Sequence, residues 1–339
     1  MTLTFKKRQI AASFFLLVMM STSVFGFEDW RQALHVAMQY QAEHEYEKAY
    51  NQLQKHANKG NGLAQFNLAL HEELGWGREA NIDNACEWFE RAAKSGIPQA
   101  MKKAGDCALR AASNAPKAVS QDTAIAWYRA AMAEGIHGAG CSAGKLLIDS
   151  GVPKNINEGL ALCTQAAEKG STSAAVLLAD LYYHGDLIEQ NFPLALRLYQ
   201  QANPQSNAHA AFQIAIMFDY GLAVPTDLRQ SAYWYEVAAS QGYQQAYLPL
   251  AALYWQLYLT SQQYKSTWLA KSYLWANTSQ RLTDDNTADL TILIKRLNEA
   301  VPVTWQRALG KKIAEHLNTY HNPDVAMVEN HEAEKQTPN

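Results

Sequence analysis

Several short stretches carry residues whose types could do chemistry, and each type demands particular neighbours. The segment HGAGCSAGKLL, residues 137–147, has three glycines and a Gly-Lys pair. Those are ingredients of a phosphate-binding loop, G-x-x-x-x-G-K-[ST], in which backbone N–H groups and the Lys hold the phosphates and the hydroxyl holds a metal. Here Gly138 stands one residue too far from Gly144, Ala139 takes the first glycine's place and Leu146 replaces the Ser/Thr. His71-Glu72-Glu73 lacks the second His of H-E-x-x-H, so a solvated helix end is expected there. His184, before Gly185 and Asp186, is read as meeting a helix dipole rather than a metal. No G-x-S-x-G occurs, and Gly140-Cys141-Ser142 does not sit on a strand-to-helix elbow. The expectation is no catalytic residues, no metal and no cofactor.

Four cysteines remain: Cys86, Cys107, Cys141 and Cys163. Without a C-x-x-C, thiol exchange or zinc binding has little support, and in an exported chain disulfides are the natural reading. Of the three connectivities, Cys86–Cys107 and Cys141–Cys163 are favoured because each joins neighbouring helices. Each closes a loop of about 20 residues, worth roughly 3 kcal/mol in the loop-entropy picture. Buried free thiols are the alternative.

The elements that position these residues are set by repetition. ANKGNGLAQFNLAL, AAKSGIPQAMKKAGDC, MAEGIHGAGCSAGKLL, AAEKGSTSAAVLLADLYY, ANPQSNAHAAFQIAIMF and AASQGYQQAYLPLAALYW align on one theme. A Gly, or Ser206 in one copy, is followed four residues later by Ala64, Ala100, Ala139, Ala174, Ala210 or Ala246. Helix A begins near that anchoring alanine and keeps a small residue five positions on: Ala69, Gly105, Gly144, Ala179, Ala215 and Ala251. A small residue kept at one position marks two helices crossing closely. Gly75, Gly185 and Gly221 should close helix A as left-handed caps. Helix B carries a stripe such as Ala85/Trp88/Phe89 or Ala124/Trp127/Tyr128, with Asp83, Asp122, Asn157 and Asn191 as expected N-caps. Ala139 and Gly144 are then frame residues of a helix running through the glycine-rich segment, which removes the nucleotide-loop reading.

The pattern A-x-Y-x-L-G-x-L-Y-x-x-G followed by D-x-x-K-A-x-x-W-Y-x-x-A-A-x-x-G resembles the Sel1-like repeat, a relative of the tetratricopeptide repeat. The resemblance implies an all-α, right-handed superhelical solenoid of helix pairs, with six repeats over 60–281. The second and third repeats depart from the pattern. Residues 27–59 resemble a divergent, capping helix pair, and residues 282–321 read as capping helices that close the exposed apolar end. The tail 322–339 has no apolar periodicity and is expected to be disordered.

Ahead of the repeats, Lys6, Lys7 and Arg8 precede the apolar run Ile10–Met20 and the small-residue segment STSVFG. This reads as a signal peptide, residues 1–26, cleaved after Gly26, with a retained membrane anchor as the alternative; the implied location is a bacterial periplasm or the exterior. Cleavage removes three positive charges and no acids, taking the net charge from −3 to about −6. With no basic tract, nucleic acid is not an expected partner, and no membrane span remains after cleavage. A monomer is expected.

Solenoids of this type imply recognition of another protein or peptide by a concave face lined by helix A. Counted from the anchoring alanine, the exposed positions are Asn67, Lys103, Asp106, Arg110, Ser142, Lys145, Asp149, Asp180, His184, Gln213 and Tyr220. The leading reading is a non-enzymatic adaptor in the cell envelope. Two others stand beside it. Cysteine-rich exported members of the same broad family suggest β-lactam binding or hydrolysis, although these four cysteines do not recur once per repeat. Exposed aromatics suggest peptidoglycan or polysaccharide binding.

Overall fold

Every repeat begins around an alanine with no room for a larger side chain: all six anchoring alanines are 1% exposed or less. The computed structural model describes residues 34–110, 117–282 and 287–321, with residues 117–119 described by backbone alone. The signal segment 1–26 and the tail 322–339 lie outside the described residues, and the 27–59 pair is described only from residue 34. The described elements are helical. The chain divides at Lys169/Gly170 into two units.

The first unit holds α1 (34–42) and α2 (Tyr46–Ala57), then the pairs α3 (Gly62–Leu74) with α4 (Ile82–Lys94), α5 (Pro98–Arg110) with α6 (Lys117–Ala133), and α7 (His137–Asp149) with α8 (Pro153–Glu168). The second holds α9 (Thr172–His184) with α10 (Phe192–Gln201), α11 (Ala208–Tyr220) with α12 (Leu228–Ser240), and α13 (Tyr247–Thr260) with α14 (Lys265–Leu282). It ends with α15 (Ala288–Ala300) and α16 (Val303–His321). Helix α7 runs unbroken through the glycine-rich segment, so no loop is available there to cradle phosphate.

Within a pair, the small residue of helix A faces the second large position of helix B. That position is Phe89, Tyr128, Cys163, Tyr199 or Tyr235 in the first five repeats and Ala276 in the sixth, and all six are buried. A Cβ added to Gly105 would stand 2.5 Å from Tyr128 Cε1, and one added to Gly144 would stand 2.5 Å from the carbonyl oxygen of Gly159. Ridges cannot interdigitate at such separations unless one side is nearly bare. The turn between repeats has its own requirement. Gly60, Gly96, Gly135, Gly170 and Gly242 all have φ between 82° and 91°, where a Cβ is strained. In the copy that has Ser206 instead, the left-handed residue moves to Asn203, at φ 51°, a side chain that tolerates this region.

Helices α3, α9 and α11 end at Gly75, Gly185 and Gly221 in the left-handed conformation, each cap N–H returning to a carbonyl of the last turn. The expected N-caps need correction. Asn191 caps α10 by accepting from Leu194 N–H, but α4 is capped by Asn81, with Asp83 in its first turn. Asp122 and Asn157 lie inside α6 and α8. Pro153 at the first position starts α8 four residues early, since its fixed φ suits a helix start and its missing N–H costs nothing there.

Both disulfides are present: Cys86–Cys107 links α4 to α5, and Cys141–Cys163 links α7 to α8. At the C-terminal end, Tyr247 on α13 bridges two histidines of α16, its hydroxyl 2.9 Å from His316 Nε2 and 2.7 Å from His321 Nε2. Burial, reinforced by His321, pushes the His316 pKa down to about 4, so the bridge is built from neutral imidazoles.

One substitution on two helices should act with opposite signs. Gly144→Ala forces a methyl into the backbone of α8 and should destabilise the protein by about 1–3 kcal/mol. At Gly310 on α16 an added Cβ meets nothing within 4 Å, so Gly310→Ala should stabilise by about 0.4–1 kcal/mol. Urea-unfolding midpoints of the two variants check this, and equal shifts would refute the close crossing of α7 and α8.

Candidate functional site

A buried tyrosine on a helix must place its hydroxyl somewhere, and here it finds a carboxylate on a neighbouring helix. Tyr128 Oη donates to Asp106 at 2.7 Å, and Tyr199 Oη donates to Asp180 at 2.6 Å. The side chain of Tyr235 hydrogen bonds Asp219. Tyr254 Oη donates to Glu236 at 2.9 Å, and Tyr50 Oη to Glu72 at 2.7 Å. In each of these tyrosines burial is the largest cause of a raised pKa and the adjacent carboxylate adds to it; Tyr50 is pushed up to about 12. Where the second large residue is Phe89, with no hydroxyl, the ammonium of Lys103 lies over its ring at 5.3 Å.

Ion pairs then join the same helix of successive repeats. Lys103 on α5 reaches Glu73 on α3 at 2.7 Å, and Arg129 on α6 pairs with Glu158 on α8. His209 on α11 meets Asp180 on α9 at 2.9 Å, and Lys271 on α14 meets Glu236 on α12 at 2.7 Å.

These bonds consume several residues placed by sequence on a recognition face. Lys103, Asp106 and Asp180 hold helices together. Lys145 and Asp149, both exposed on α7, pair with each other at 2.6 Å, and Asn67 Nδ2 donates to the Leu63 carbonyl. Gln213 is a correction: it is 8% exposed, not on the surface, because it shares a helical face with the buried Ala210 and Met217, three and four residues away. Arg110, His184 and Tyr220 are exposed. The solvated end expected at His71–Glu73 is also corrected. His71 and Glu72 are buried; His71 lies 2.8 Å from Gln41 Nε2 and 3.1 Å from the Trp76 carbonyl, and Glu72 accepts from Tyr50 and Arg78. Burial lowers the His71 pKa, and this polar cluster ties α1 and α2 to the first repeat.

Surfaces outside these bonds remain available for recognition, two of them beside residues placed there by sequence. In the first unit a groove of 570 Å³ is lined by Asp83, Glu87, Glu90, Arg110, Trp127 and the Cys86–Cys107 bridge. In the second, Tyr220 ends α11 and is 71% exposed. It lies near enough to Tyr183 on α9 to raise that phenol's pKa, after burial, and His184 sits edge-on to Tyr183 at 5.1 Å. Sequence reading missed Tyr183, because it follows Tyr182, the repeat's aromatic position on helix A, and the next repeat has Asp219 at its own position. Among the described residues, no group of three His, Cys, Asp or Glu is arranged to hold a metal, and no helix is long and apolar enough to cross a membrane.

The Asp180–His209 bond carries a pH signature. Its hydrogen bond to Asp180 raises the His209 pKa above the usual 6.5, and this outweighs burial. The pair's contribution is therefore complete below the unfolded pKa and disappears as pH rises through the folded value. Asp180→Asn, which still accepts from Tyr199, should lower the His209 titration midpoint followed by NMR of its ring protons. The stability gap to the parent should be widest below about pH 6.5. An unchanged His209 midpoint would refute the bond.

Comparison with known proteins places these features in a family. The Sel1 repeat model matches residues 62–97, 143–171, 172–203 and 208–243; the pairs α5/α6 and α13/α14 have the same frame without a match. A component of an ERAD-associated E3 ubiquitin-protein ligase, HRD3B of Arabidopsis thaliana, is 38% identical over 74 residues, 22% of this chain and 12% of that protein. The uncharacterized protein NMB1327 of Neisseria meningitidis is 25% identical over 209 residues, 62% of this chain and 43% of that protein. The chain thus spans less than half the length of these curated relatives. Among solved structures, c5321, a protective antigen of uropathogenic Escherichia coli strains displaying an SLR fold, superposes with a TM-score of 0.67 at 19% identity, covering 91% of this chain and 64% of that one. A Sel1 repeat protein from Oxalobacter formigenes superposes with a TM-score of 0.56 at 23% identity, covering 71% and 96%. These likenesses show the fold, and the four matched segments show the repeat: the chain is an all-α protein that contains Sel1 repeats at residues 62–97, 143–171, 172–203 and 208–243.

Proposed function

We propose that this chain is an exported, non-enzymatic scaffold that binds another protein or peptide through the exposed ends of its A helices. The observation that carries this reading is the aromatic patch in which the exposed His184 and Tyr220 flank the half-buried Tyr183, on a frame where Lys103, Asp106 and Asp180 are committed to holding helices together. Aromatic side chains supply large contact area at low entropic cost and are enriched where proteins meet. A relative described as a component of a ubiquitin ligase is consistent with Sel1 repeats working inside assemblies. Export is supported by the amino-terminal sequence and by two disulfides in one chain, which persist in oxidising compartments.

The test is affinity capture from an envelope extract with the chain and with a His184→Ala/Tyr220→Ala double variant. Tyr264→Ala, an exposed aromatic elsewhere in the unit, serves as control. A partner retained by parent and control but depleted at least about tenfold by the double variant supports the patch. Equal capture by all three would remove it. Charge reversal at Asp106 or Asp180 is unsuitable, since each holds a buried tyrosine hydroxyl and the variant would lose fold and binding together.

A further inference from the structure

The C-terminal end of the second unit carries a groove that its own helices do not fill. Its volume is 540 Å³, within the ~300–1,000 Å³ of ligand sites. One wall is α14, through Thr267, Ala270, Lys271 and Leu274; the other is α16, through Trp305, Leu309 and Lys312. Both sets are spaced three and four residues apart, so two helices present parallel stripes to one trough. Such a trough accepts the ridge of a third helix. Trp305 is 38% exposed on its wall. The lining also includes Trp275, which is buried.

The charge of the walls selects the occupant. Helices α14 and α16 carry Lys265, Lys271, Arg281, Arg307, Lys311 and Lys312 against a single carboxylate, Glu315, in a chain whose net charge is −3. Glu236, contributed by α12, is already held by Lys271 at 2.7 Å. Of the charged side chains that line the trough, Lys271 is held by Glu236 and Lys312 faces no lining carboxylate; the trough is apolar at its centre and carries a cation, Lys312, at its α16 rim. We infer that it docks an acidic amphipathic helix of a partner protein, with aliphatic side chains at i, i+3/i+4 and i+7 against Trp305, Leu309 and Leu274 and carboxylates beside Lys312 and its neighbours. This surface is distinct from the helix A patch and does not depend on it.

The full chain is titrated into a fluorescein-labelled 18-residue peptide with Leu at the i, i+3, i+4, i+7 positions and Glu elsewhere, and into its Lys-for-Glu counterpart. The expected result is a rise in anisotropy with the Glu/Leu peptide, at least about tenfold weaker binding of the Lys/Leu peptide, and affinity that falls with added salt. Lys312→Glu and Trp305→Ala should each weaken the Glu/Leu peptide about tenfold with unchanged circular dichroism and urea midpoint. Tyr220→Ala should leave peptide binding intact, which separates this site from the patch proposed above. No binding of the Glu/Leu peptide, equal binding of the two peptides, or binding insensitive to both groove substitutions would overturn the inference. So would tight binding seen only after removal of residues 322–339, whose sequence includes Val325, Met327, Val328, Glu329, Glu332 and Glu334; the occupant would then be the chain's own terminus.

Discussion

The close crossing of helix A over helix B is the constraint from which the rest of each repeat follows. A crossing that admits no more than a Cβ fixes alanine or glycine at one position and seats a large side chain of helix B over it. If that side chain is tyrosine, its hydroxyl arrives at helix A inside a dry interface. Left unmade, that bond would cost about 1–3 kcal/mol, whereas a hydrogen bond to a charged group contributes about 1.5–3 kcal/mol. A carboxylate on helix A is thus a consequence of the aromatic, and Asp106, Asp180 and Asp219 belong to the packing.

The same logic runs between repeats. Glu73, Glu158, Asp180 and Glu236 each receive a cation from a residue 29 to 35 positions away, one repeat along the chain. These pairs are partly exposed, where isolated ion pairs are worth about 0–1 kcal/mol, so they set register between repeats more than they add stability. Their functional consequence is larger. A carboxylate shared by a tyrosine and a histidine, as Asp180 is, has little capacity left for a partner protein. The exposed Tyr220, at a helix end, and Trp305, in a groove, stand outside this network, which is why the proposed recognition surfaces are placed there.

Much of this was legible in the chain because periodicity reports on burial. The anchoring alanines, the small crossing residues, the left-handed glycines and the two cysteine pairings all follow from aligning six copies. What sequence could not supply was the partner of a surface position. Asp106 and Asp180 occupy faces that a helical wheel marks as exposed, and only the neighbouring helix shows that a tyrosine hydroxyl terminates there. Gln213 fails for a related reason: Ala210 and Met217, three and four residues away on its own helical face, are buried, and its polar side chain is enclosed with them. The His71–Glu72 cluster escaped because its partners, Gln41 and Tyr50, lie in the divergent amino-terminal pair, where the repeat gives no register. The N-caps were misplaced for a local reason. A capping side chain precedes the helix it serves, and Asp83 inside a first turn satisfies the same statistical preference as Asn81 before it.

The disulfides stand where the frame is weakest. In the third repeat the second large position is a cysteine, so no aromatic spans the crossing, and Gly144 and Gly159 bring α7 and α8 together backbone to backbone. Such a contact buries little side-chain surface and gains little hydrophobic stabilisation. The Cys141–Cys163 bridge occupies the vacated position, buried at both ends, and replaces packing energy with a covalent limit on the unfolded chain worth roughly 3 kcal/mol. The second repeat, displaced by a three-residue insertion, is tied to the first by Cys86–Cys107 along an open groove. A solenoid is only as cooperative as the interface between adjacent units. Cross-links at the two irregular repeats let the first unit tolerate sequence that its packing alone would not hold.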